Sequence, residues 1–87
     1  MLMKRKQIIV DNITYEVVAT VHDDNTNKDY VVYMDKNVDK NKELKLSCVL
    51  YYEENGEFIP VRITEEEDKE TAKEIVMDVM KDLKNLL

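Results

Sequence analysis

Glycine, proline, cysteine and histidine each occur once in the chain, and no run of apolar residues is long. Each scarcity removes a class of function. Cys48 alone can close no intramolecular disulfide, and nothing around it has metal-ligand spacing. Gly56 alone makes no glycine-rich loop to cradle a phosphate or stabilise an oxyanion, so Ser47 and Cys48 lack the surroundings of a nucleophile, and His22 is the one imidazole available to them. After the basic cluster Lys4, Arg5 and Lys6, only Ile8, Ile9 and Val10 precede Asp11, far short of a signal-peptide core or a membrane span. These absences predict a cytosolic protein that is not an enzyme, with no cofactor and no membrane partner.

Basic residues are scarce relative to acidic ones, giving a formal net charge of -6. Lys4, Arg5 and Lys6 supply three of the thirteen basic residues, so the chain from Asp11 onward holds ten against nineteen acidic ones. Such a field repels polyanions, whose binding rests on Lys and Arg neutralising phosphates, so no nucleic-acid partner is expected. The acidic run from Glu53 to Glu70 suggests an alternative role, imitation of phosphate toward a basic partner protein.

What the chain does have is apolar alternation. With 87 residues and 44% hydrophobic content, one domain spanning 1–87 is predicted. A chain of this size buries only about 60% of its unfolded surface, so self-association is a ready way to cover more. Strands are predicted at about 6–10, 13–21, 29–34, 43–53 and 58–63. Asp11-Asn12 and Asn55-Gly56 supply residues that tolerate the positive φ of two-residue hairpin turns. A type I′ turn at Asn55-Gly56 sets Tyr52 opposite Ile59, Leu50 opposite Val61 and Cys48 opposite Ile63 on one face. The other face then pairs Glu53 with Phe58, Tyr51 with Pro60 and Val49 with Arg62, and Pro60 suggests an edge. In the second strand Ile13, Tyr15, Val17, Ala19 and Val21 fall on one face by strict alternation.

After Ile63 the period changes. Thr64 and Glu67 have the spacing of a capping box, and Ala72, Ile75, Val76, Val79, Met80, Leu83, Leu86 and Leu87 recur at helical intervals. Lys69, Glu70, Lys73, Glu74, Lys81 and Lys84 form its solvated side. The predicted fold is α+β, an antiparallel β-meander of four to five strands with one C-terminal α-helix over 65–86 packed on its apolar face. That helix would be about 33 Å long against about 20 Å for a six-residue strand, so its last turns should overhang.

Three candidate sites follow. The sheet face left uncovered by the helix would carry Tyr33, Val49, Tyr51 and Phe58 with Val18 and Val31, an aromatic patch of the kind that marks a protein–protein contact. With the overhanging Leu83, Leu86 and Leu87 it predicts an interaction module, either a homo-oligomer such as a homodimer or an accessory subunit of an unidentified protein partner. The second candidate, a small-ligand or metal site at His22, Asp23 and Asp24, has ligand chemistry but only three adjacent loop residues. As the third, Asp23, Asn25 and Asn27, and again Asp35, Asn37 and Asp39, begin like calcium loops. Lys28 and Lys40 then replace the turn glycine, and Met34 and Leu46 replace the bidentate glutamate, so turns without metal are predicted.

The motifs E-V-x-A-x at Glu16 to Thr20, K-x-Y-V-V at Lys28 to Val32 and Y-x-E-x-G-E at Tyr52 to Glu57, followed by Pro60, resemble those of the YrzB-like family of small acidic bacterial proteins. The likeness covers about residues 7 to 70. Asn27 stands where a turn glycine is common in that family, and the helix after residue 70 is longer and richer in lysine. The resemblance implies a cytosolic bacterial protein without assigned activity, and its motifs carry no catalytic residue.

Overall fold

A computed structural model describes residues 6–35 and 45–85. Among them five strands, β1 (Gln7–Val10), β2 (Ile13–Asp23), β3 (Lys28–Asp35), β4 (Lys45–Glu54) and β5 (Glu57–Val61), precede one helix, α1 (Glu66–Asn85). The class is α+β. The expected open meander is corrected, because the sheet closes into a barrel in the order β1-β2-β3-β4-β5. Successive antiparallel steps leave the first and last of five strands pointing the same way, so the closing pair must be parallel. It is, with Ile8 opposite Phe58. Pro60 lies beyond that pair, where β5 is bonded to β4 alone, so its missing N–H breaks no ladder on the β1 side.

Both hairpin turns form as their residues dictate. Asp11 and Asn12 have φ of 52° and 66°, Asn55 and Gly56 have 52° and 80°, and β4 meets β5 with Leu50 opposite Val61, Tyr51 opposite Pro60 and Tyr52 opposite Ile59. The β2–β3 turn is longer. Asn27 takes a φ of 56°, and the Asp23 carboxylate accepts hydrogen bonds from the Thr26 backbone N–H and hydroxyl, both at 2.8 Å.

A β-bulge decides which side chains go where. The β2–β3 register shifts between Val17, opposite Tyr33, and Ala19, opposite Val32. Strict alternation therefore fails at Val18: Tyr15 and Val17 pack inside the barrel with Ile8, Val31 and Tyr33, while Val18, Ala19 and Val21 pack on the outside with Tyr30, Val32 and α1. The predicted single face is thus divided: Tyr15 and Val17 join one core, Ala19 and Val21 the other, and Ile13 is exposed. β3 is the shared wall, and its Tyr30, Val31, Val32 and Tyr33 are all buried.

The two-sided apolar hairpin finds its explanation here. Val49, Tyr51 and Phe58 line the barrel interior, whereas Cys48, Leu50 and Ile63 lie under α1 with Ala72, Ile75 and Val79. Inside, Tyr15 and Tyr33 have ring centroids 4.7 Å apart, and Tyr51 and Phe58 4.8 Å, both in tilted geometries that suit aromatic quadrupoles. The Lys6 ammonium lies 4.6 Å from the Phe58 ring centroid.

The helix begins one residue later than the capping box predicts. The Lys69 N–H donates to the Glu65 carbonyl at 3.0 Å, which makes Glu65 the N-cap in place of Thr64 and sets Asp68 in the first turn. Asp68 fixes that register. Its carboxylate is buried, accepting from Lys28 Nζ at 2.7 Å and from the Tyr30 hydroxyl at 3.3 Å. Among the described residues no helical side chain beyond Val79 joins either core, although at 20 residues α1 is about 30 Å long, close to the roughly 33 Å of β4.

Candidate functional site

The predicted aromatic patch is drawn inward. Tyr33 is buried, Val49, Tyr51 and Phe58 are half-buried, and all four pack in the barrel interior with Ile8 and Val31. Closure wraps the face expected to meet water around a core and leaves Val49, Tyr51 and Phe58 only partly accessible. Leu83 is half-buried, while Leu86 and Leu87 lie outside the described residues.

The His22, Asp23 and Asp24 cluster disperses along the β2 end. His22 Nδ1 is 2.8 Å from Asp29 Oδ1 across the strand pair, and its Nε2 is 3.7 Å from Asp24. Asp23 turns instead to Thr26, whose hydrogen bonds, side chain first and backbone second, hold its carboxyl below the usual range. Among the described residues no group of three or more His, Cys, Asp or Glu side chains could hold a metal ion. Most of the second calcium-like stretch, Asn37 and Asp39 included, lies outside the described residues.

His22 is raised above its ordinary value of 6.5, chiefly by the hydrogen bond to Asp29. A raised folded-state value means that its contribution to stability is fully present below about 6.5 and is lost as pH rises through the folded value. Proton NMR of this single imidazole should therefore show a midpoint above 6.5, and Asp29→Asn should bring it down. An unshifted midpoint in both proteins would contradict the observed pairing.

Cys48 is equally unsuited to chemistry. Burial pushes its thiol up to about 12, leaving almost no thiolate at neutral pH. It helps line an open apolar groove of about 630 Å³ between α1 and the β3–β4 surface, with Tyr33, Leu46, Ala72, Val76 and Met77. Further along, Val76, Met77, Met80, Lys81 and Lys84 line a second depression of about 530 Å³. The two share Val76 and Met77, so they form one flank of the helix.

This flank was hidden in the sequence. Val76, Met80 and Leu83 belong to the apolar periodicity, but Met77 falls between Lys73 and Lys81 on what reads as the solvated side. In the fold Met77 is 70% exposed. Tyr52, assigned to the covered face, is 51% exposed, because α1 covers Leu50 but not the hairpin beyond it. In the sequence Asp68 belongs to the acidic run from Glu53 to Glu70. Its spacing of four and seven from Ala72 and Ile75 was the available sign that it points inward, and its burial removes it from the acidic strip.

No helix among the described residues is long and apolar enough to cross a membrane. The chain matches no protein-family model, no curated protein and no solved structure.

Proposed function

We propose that the protein is a small cytosolic, non-catalytic interaction module of YrzB-like type that binds a protein chain through the exposed flank of α1. The observation that carries this reading is a mismatch of widths. The apolar arc of the helix is wider than the surface beneath it: Ala72, Ile75 and Val79 pack on the barrel, while Val76, Met77 and Met80 line open depressions. Methionine is well suited to such contacts, since its unbranched, polarisable side chain adapts to a partner's shape. An apolar strip rimmed by lysines is the usual composition of a binding patch. The barrel adds a constraint, for a closed sheet offers few free strand edges and favours recognition by side chains over strand addition.

Met77→Glu tests this directly. The exposed side chain carries little of the core, so circular dichroism should be unchanged and stability should stay within about 0.5 kcal/mol of the parent protein. Any complex, with itself or another protein, should be lost in sizing and pull-down measurements. Retention of every complex by a folded Met77→Glu protein would refute the proposal.

A further inference from the structure

We infer that the occupant of the α1 flank is the outer face of the β4–β5 hairpin of a second copy. The inference rests on the proposed interaction role and adds the partner's identity. Its basis is a match between two surfaces of one chain. On the flank, Lys73, Lys81 and Lys84 border Met77 and Met80, and none of the three lysines joins an ion pair found among the described residues. On the hairpin, residues of one parity point away from the barrel: Tyr52 and Ile59 face each other, and Glu54 faces Glu57. Tyr52, Glu54 and Glu57 are exposed, with Tyr52 at 51%.

One surface is thus apolar with a basic border, and the other apolar with an acidic tip. The Glu54–Glu57 pair is a cross-strand juxtaposition of like charges, which disfavours the isolated hairpin and which a lysine from outside would relieve. In a molecule of net charge -6, a local group of lysines beside the exposed Met77 calls for an acidic, partly apolar complement, and this hairpin provides one. A two-fold arrangement uses the contact twice, flank to hairpin and hairpin to flank. A standard interface needs about 800 Å² from each copy. That is about a ninth of the molecule's 7067 Å² surface.

The experiment is light scattering on a sizing column from micromolar to millimolar protein, with circular dichroism confirming that each variant is folded. The expected result is a concentration-dependent dimer whose dissociation constant rises about tenfold or more in Met77→Glu and in Tyr52→Ser. Lys81→Glu and Glu54→Lys should each weaken it, and mixing those two variants should restore a heterodimer. A dimer indifferent to Tyr52→Ser and Glu54→Lys but broken by Met77→Glu would overturn the inference and leave the flank as an interaction site. A monomer at every concentration overturns it as well, and binding of a different protein abolished by Met77→Glu would then preserve the broader role. A dimer unaffected by Met77→Glu overturns both.

Discussion

Val31→Asp is expected to leave the chain unfolded at room temperature, whereas Ile9→Asp, on β1, is expected to be tolerated. Val31 is fully buried and packs inside the barrel with Ile8 and Tyr33. A carboxylate there would meet only apolar and aromatic side chains, and an unpaired buried charge costs several kcal/mol even after relaxation. A domain of this size has roughly 5–10 kcal/mol in total, so the substitution removes most of it. Ile9 is 59% exposed, and the same change there should stay within about 0.5 kcal/mol. Proton NMR dispersion and far-ultraviolet circular dichroism of the two variants separate the cases. A folded Val31→Asp protein would mean that this face of β3 meets water and that the barrel is open.

The second large effect is at the junction of helix and barrel. Asp68→Ala should lower stability by about 2 kcal/mol, a fall of roughly 8–16 °C in Tm for a domain of this length. The Asp68 carboxylate holds Lys28 at 2.7 Å and the Tyr30 hydroxyl at 3.3 Å, across 40 and 38 residues of sequence. Its hydrogen bond is the main cause of the raised Lys28 value, and burial is the main cause of the raised Tyr30 value. Without it, Tyr30 keeps the 3.4 Å contact to the Thr26 hydroxyl and its hydrogen bonding with the Thr71 side chain. Lys28 is 39% exposed and turns to water, which keeps the loss below that of a fully buried ion pair. Asp68→Asn retains an acceptor oxygen and should cost about half as much. Thermal melts of the two variants check the order, and equal melting of Asp68→Ala and the parent would show that α1 is held by its apolar face alone.

The local elements were legible because short-range chemistry determines them. Asn55-Gly56 and Asp11-Asn12 meet the positive-φ demand of two-residue turns, and the period change after Ile63 marks the helix. Closure was not legible, since it depends on Ile8 meeting Phe58 fifty residues away through one short strand. Nor was the bulge, because every residue of Val17-Val18-Ala19 is apolar and the pattern fits either register. Yet the two-sided apolar character of β3 and β4 carried the essential information. A strand apolar on both faces needs two covers, and one helix supplies only one. The second cover is the sheet itself, curled around Tyr33, Val49, Tyr51 and Phe58. The interaction surface then has to be sought among residues that looked solvated, Met77 first among them.

The most direct test is a comparison of backbone amide NMR spectra from micromolar to millimolar protein. Shifts that grow with concentration at Val76 to Lys84 and at Tyr52 to Glu57, with Ile8, Val31 and Val49 unmoved, are the predicted result. Shifts centred on those interior residues, or no concentration dependence at the α1 flank in the presence or absence of a bound protein, would contradict it.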